Sequence, residues 1–247
     1  MIIDEIKAIL EKNGHDINPD VISRIETMLA SIRDDNQLNK LDYIINWFNK
    51  KREESDMVVE EIGINDLDKW NVDPDTGNIK HESGGFFEVI GVKASNTFDR
   101  EVGKKGWTQP MIAKNPGGIL GIIMKRINGV PHYLLQAKAE PGNIGKLQLS
   151  PTLQATTSNL LKAHGGSKPL FAEYFDEENN PEIIYAKWQS EDGGRFHLKS
   201  NYNMIVEVKE ELEIPDSFIW VTLYQIKQLM KIENFVGPHV RGIISYL

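Results

Sequence analysis

Residues Tyr133 to Gly166, YLLQAKAEPGNIGKLQLSPTLQATTSNLLKAHGG, open as an apolar strand and then turn polar without turning charged. Tyr133-Leu134-Leu135 is followed by Gln136, Lys138, Glu140 and Asn143, then by Gln148, Ser150, Thr152, Gln154, Thr156, Ser158 and Asn159. Side chains along a strand alternate between faces, so an unbroken strand from Gln148 to Ser158 puts every second residue, all uncharged hydrogen-bonding groups, on one side. Such a row suits a polyhydroxylated ligand, a sugar or nucleoside, because each group can both donate and accept. A Thr/Ser/Gln-rich strand on the outside of a sheet satisfies the same spacing.

Working outward, Asn128-Gly129 is a hairpin signal joining a strand at Gly118–Ile127 to one at His132–Glu140. Further strands are expected at Phe86–Val92, Phe171–Phe175, Ile183–Ser190, Arg195–Lys199 and Met204–Val208. Between Phe86–Val92 and Gly118–Ile127 lies a long polar loop, Lys93–Pro116. Thr222 caps a helix carrying Leu223, Ile226 and Leu229. Upstream, apolar residues at helical spacing predict three amphipathic helices in residues 1–55, the second starting at Pro19. The expected organisation is therefore a helical segment, 1–55, followed by an α+β domain, 56–247.

Composition bounds the function. With no cysteine, disulfides, thiolate nucleophiles and Cys-ligated metals are excluded. A formal net charge of −8 argues against a nucleic-acid surface, which needs clustered Lys and Arg. There is no long apolar run for a membrane, and the N-terminus is charged and amphipathic, so a cytoplasmic protein is expected. The six histidines show no metal-ligand spacing, and neither a P-loop nor a dinucleotide fingerprint is present. Arg100 to Gly106 faintly echoes a Nudix box, but lysines stand where metal-binding carboxylates would have to be.

The blocks QAKAEPGN, QLSPTLQAT, SN and HGG resemble the signature of the NDP-hexose 2,3-dehydratases. Two more agree in order: WNVDPDTGNI (70–79) with His81, Ser83-Gly84 and FFEV (86–89), and later Gly194-Arg195-Phe196 with NMIVEV (203–208). The resemblance runs from about Leu41 to the C-terminus. It implies a Nudix-like mixed β-sheet or barrel domain with flanking helices and no metal chemistry. It further implies loss of the C2 hydroxyl from an NDP-4-keto-6-deoxyhexose, with no cofactor. A base must reach C3, a donor must hold the enolate oxygen, and the departing hydroxyl must gain a proton.

Glu140, Lys138 and His81 are the catalytic candidates, with His164 and His197 as further titratable groups. Trp70, Gln136, Asn143, Gln148, Ser150, Thr152, Gln154, Ser158, Asn159 and Asn203 are candidates for the sugar nucleotide, and Arg195, Lys199, Arg241 and Lys138 for its diphosphate. The family pattern places arginines where this chain has Thr157, Lys162, Ser200 and Tyr202, which leaves open an altered substrate or lost activity. Family members are about twice as long, with two similar units, so a homodimer is expected here. The partner is a nucleotide sugar, dTDP-linked by resemblance. An isomerase acting on the same keto-sugar, or a silent nucleotide-sugar-binding module, are the alternatives.

Overall fold

The computed structural model describes residues 2–35, 38–97, 101, 103–114, 117–156, 160 and 169–247. Helices α1 (Ile2–Lys12), α2 (Pro19–Ile32) and α3 (Leu41–Glu53) come first. Asn18 caps α2 by accepting from the Val21 amide, with Pro19 in its first turn. A four-stranded antiparallel sheet follows, β1 (Trp70–Val72), β2 (Ile79–His81), β3 (Glu88–Ala94) and β4 (Trp107–Ala113), in that order.

The larger sheet contains β5 (Gly118–Ile127), β6 (Val130–Ala139), β7 (Leu147–Ser150), β8 (Leu153–Thr156), β9 (Glu182–Ser190), β10 (Ser200–Glu207) and β11 (Phe218–Thr222). Its path runs β11-β6-β5-β10-β9, with β5 and β10 parallel. Helices α4 (Leu223–Leu229) and α5 (Pro238–Ile244) end the chain. Thr222 caps α4, as its sequence predicts, and Gln225 completes a full capping box with it.

One face of the large sheet, through Ile122, Leu135 and Ile205, packs on Ile44 and Phe48 of α3, Ile226 of α4 and Val240 of α5. The other face, through Ile123, Leu134 and Met204, packs on Phe171 and Phe175. Phe175 lies flat against Gly121, where an added Cβ would fall 2.2 Å from its ring, so only glycine fits there. Phe48 is wholly buried, and truncating it to alanine costs about 3–5 kcal/mol.

The centre of the architecture is a fork. β5 and β6 pair from the Asn128-Gly129 turn, where both residues take positive φ, as far as Ile123 opposite Leu134. There they part. β7 pairs with the freed half of β6, and β8 with the freed half of β5. Thr152 sits at the crotch, buried, its hydroxyl accepting from the Ile123 amide at 2.9 Å and donating to the Leu134 carbonyl. One side chain thus satisfies the two backbone groups that the parting strands release.

Several expectations need correcting. The α+β class stands, but the large sheet runs open from β11 to β9 and closes no barrel. Trp107–Ala113, read as loop, is a strand at the edge of the small sheet, where Pro110 is tolerated. Phe171–Phe175 is a short 3-10 turn opened by Phe171 at positive φ. Residues 195–199 form no strand, only a parallel bridge from Phe196 to Ile112. The polar row from Gln148 does not share one face either. Leu147 and Leu149 join one core cluster, Leu153 and Ala155 the other, so side-chain parity changes across Pro151-Thr152.

Candidate functional site

The fork's open end gathers the titratable groups. Lys138 and Glu140 lie two apart at the end of β6, on the same side, with Nζ 2.8 Å from Oε1. The Gln154 amide from β8 reaches the same carboxylate oxygen at 3.4 Å. Gln148 pairs opposite Lys138 across β6–β7, and Gln136 opposite Ser150. Beyond Glu140 the chain closes a tight turn in which the Glu140 amide donates to the Lys146 carbonyl at 3.1 Å. Asn143 latches that turn by donating to the Lys138 carbonyl at 3.4 Å.

A histidine arrives from the C-terminal helix. Residues 235–237 run along the outer edge of β7, with the Leu149 amide donating to the Phe235 carbonyl and the Gly237 amide to the Leu149 carbonyl. Pro238 then starts α5, and His239 falls in its first turn beside β7. Its Nδ1 stands 4.0 Å from Oε1 of Glu191. Glu191 is fixed in turn, since Asn201 donates to the same oxygen while Asn201 Oδ1 accepts from the Gly118 amide at 3.1 Å. Asn203 supports Asn201 by donating to its carbonyl at 3.0 Å.

The electrostatics favour a neutral imidazole. Burial lowers the His239 pKa first, and the positive charges of Lys199 and Lys138 lower it further, against the opposing pull of Glu191 and Glu140. Burial also lowers the Lys199 pKa, partly offset by Glu191. The Lys199 ammonium lies 4.8 Å from the centre of the Phe196 ring. A half-buried base held unprotonated, with two cations and two carboxylates around it, is equipped to remove a proton and to stabilise the anion that results.

The structure therefore brings together Lys138, Glu140, Gln148, Gln154 and Lys199. Other expected residues fall elsewhere. Thr152 cannot hold a ligand, because it is buried with its hydroxyl committed to the backbone. Ser150 is buried too, its hydroxyl 3.4 Å from the Gln148 carbonyl. Asn203 acts through Asn201 rather than facing outward. Arg195 is exposed on the 192–196 turn and donates to the Gly194 carbonyl. Arg241 is exposed, two residues past His239 and so roughly 200° around the helix from it.

His81 and Trp70 belong to the small sheet, in an aromatic group with Phe86 and Phe87. His81 Nδ1 accepts from the Ser83 amide, and among the described residues no hydrogen bond, ion pair or ring contact joins it to Lys138 or Glu140. His132, which its turn-side position suggests is exposed, is fully buried. Ser158, Asn159 and His164, like positions 157 and 162, lie outside the described residues. Among the described residues no cluster of three or more His, Asp or Glu side chains could hold a metal ion. No described helix is long and apolar enough to cross a membrane. A cavity of about 1190 Å3 lies at the other end of β6, lined by Arg24, Arg126 and Tyr133 among others, away from these groups.

Sequence reasoning missed His239, Glu191 and Asn201. His239 has no partner at metal or triad spacing in the chain, and it meets Glu191 only through the fold. The one local cue is the Gly237-Pro238 helix start, which places a histidine in a first turn.

A family model described as NDP-hexose 2,3-dehydratase matches residues 41–247. The chain is 37% identical over 249 residues to a dTDP-4-dehydro-6-deoxy-alpha-D-glucopyranose 2,3-dehydratase of Amycolatopsis orientalis, covering 100% of this chain and 51% of that one. It is 39% identical over 199 residues to the enzyme of the same name from Saccharopolyspora spinosa, covering 81% of this chain and 40% of that one. The chain thus spans about half the length of the curated relatives it matches. Among solved structures it is similar to a Nudix hydrolase, RenU, from M. smegmatis, at 15% identity and a TM-score of 0.34, over 63% of this chain and 92% of that one. That likeness is too distant to carry an inference. By its match over residues 41–247 and its 37% identity to a named relative along the whole of this chain, the chain belongs to the NDP-hexose 2,3-dehydratase family.

Proposed function

We propose that the chain removes the C2 hydroxyl of a dTDP-linked 4-keto-6-deoxyhexose, giving the 3,4-diketo-2,6-dideoxy sugar. The observation that carries this reading is the placing of His239, 4.0 Å from Glu191 and near Lys138, Lys199 and Glu140, in surroundings that lower its pKa. The C4 ketone acidifies the hydrogen on C3. His239 takes that proton, and a neighbouring ammonium, Lys199 or Lys138, stabilises the negative charge arriving on the C4 oxygen. The C2 hydroxyl is β to the ketone and leaves as the enolate collapses to a C2–C3 double bond, taking a proton from the imidazolium or from Lys138. The product carries a C3 enol, which gains a proton at C2 and becomes the second ketone. Atoms balance with the loss of one water and no change of oxidation state.

Gln148 and Gln154 supply neutral hydrogen bonds to the sugar, while Glu140 holds Lys138 in place. The chain works as a cytoplasmic homodimer in this reading, and light scattering that finds only monomer at micromolar concentration contradicts the dimer. Incubation with dTDP-4-keto-6-deoxyglucose, followed by mass spectrometry, tests the activity through the loss of one water from the sugar. A binding module without turnover is the second reading. It is favoured by Tyr202, which packs on Trp188 with ring centres 5.3 Å apart and donates to Glu177 at 3.0 Å, in place of an arginine of the family pattern. Nucleotide-sugar binding with no water loss selects it.

A further inference from the structure

The turn that follows Glu140, Pro141-Gly142-Asn143-Ile144-Gly145-Lys146, has more unspent donors than a structural turn needs. Its internal hydrogen bonds use the amides of Glu140, Asn143, Lys146 and Leu147. The amides of Gly142, Ile144 and Gly145 donate to nothing among the described residues, and all three residues are exposed. Gly145 takes φ +73, and Lys146 follows it at φ 69 with its side chain exposed. Unspent amides around left-handed residues can form a concavity that accepts anions.

A second observation comes from a different element. Arg52, in the last turn of α3, lies against this turn, its Nε only 3.6 Å from where a Cβ on Gly145 would sit. Its guanidinium carbon is 5.0 Å from the centre of the Phe48 ring. The Nε is buried and has no hydrogen-bond partner. Neighbouring acids are spent elsewhere, since Glu54 and Asp216 both pair with Lys51. A charged group held against this turn with a donor unmade has no carboxylate neutralising it among the described residues, so it leaves positive charge beside the turn.

We propose that Arg52 and the Gly142–Lys146 turn form the diphosphate-binding site for the nucleotide sugar, an assignment that rests on the function proposed above. A planar guanidinium suits two phosphate oxygens at once, and the outward amides suit the others. The turn is closed by Glu140, whose carboxylate holds Lys138, so an anion bound here sets the attached sugar beside the reacting groups. Arg195 and Arg241, the arginines that sequence reading favours for this task, are on other elements.

Isothermal titration of the full chain with dTDP and with dTMP tests the assignment. Wild type is expected to prefer dTDP. Arg52→Met keeps the apolar stem against Phe48 and removes the charge, and it is expected to weaken dTDP binding about 10- to 100-fold while weakening dTMP less. Lys146→Gln, at an exposed position, is expected to cost about threefold. A folded Arg52→Met protein that binds dTDP as wild type does overturns the assignment. Should that variant fail to fold, unchanged dTDP affinity in Lys146→Gln overturns it instead. Wild type that binds neither nucleotide counts against the nucleotide-sugar reading itself, a result distinguishable from loss of preference in the variants.

Discussion

At the Asn128-Gly129 end of the β5–β6 hairpin the strands stay paired and bury His132. At the far end they part around β7 and β8 and gather Lys138, Glu140, Glu191 and His239. Each end holds a histidine whose pKa is lowered mainly by burial. Their surroundings differ. His132 donates from Nδ1 to the Val130 carbonyl at 2.8 Å, and its Nε2 is buried without a partner. His239 faces a carboxylate and two lysines, on a helix positioned by the edge of β7. Desolvation alone makes a histidine neutral. Desolvation among charges makes one whose proton can be received and returned.

The largest effect that separates the two ends is expected from His239→Gln. Loss of the base should lower kcat by roughly 10^2- to 10^4-fold with little change in urea midpoint, read by steady-state assay and denaturation. Equal loss from His132→Asn would erase the distinction. Next comes the fork itself. Thr152→Val keeps the shape and leaves the Ile123 amide and Leu134 carbonyl without their partner, so stability should fall by about 1–3 kcal/mol, measured by urea unfolding. A neutral result would mean that the strands re-pair at the crotch.

The smallest effect is a pH dependence. His132 titrates below its ordinary 6.5 in the folded chain, so the unfolded chain takes up its proton first as pH falls. Stability should therefore be full above that value, decline as pH drops through it, and level off once the folded state also protonates. His132→Asn keeps a donor for the Val130 carbonyl and should flatten part of that decline. The remainder belongs to His239, which shifts in the same direction. An unchanged slope would show that His132 protonates alike in both states.

What could be read from the chain follows from how local each signal is. Asn128-Gly129 and the Thr222 cap act over a few residues, and both were legible. So was the pairing of Lys138 with Glu140, which lie two apart on one strand. The fork was not, because the polar residues from Gln148 to Ser158 keep strict alternation on paper, and Pro151 is the one hint of a break. Nothing in that run says that Thr152 serves Ile123 and Leu134, which are 29 and 18 residues away. Glu191 and His239 meet from two separate segments, and Arg52 reaches Gly145 from another helix far back in the chain. Convergence of that kind has no period to detect.

The central claim is proton removal from C3 at the open end of the fork. A dTDP-4-keto-6-deoxyglucose carrying deuterium at C3 tests it most directly, with product and residual substrate followed by mass spectrometry. The account predicts a slowed wild-type reaction and deuterium lost from C3 to solvent, with both abolished in His239→Gln. Water loss that leaves the C3 deuterium in place, or that proceeds unchanged without His239, would contradict it.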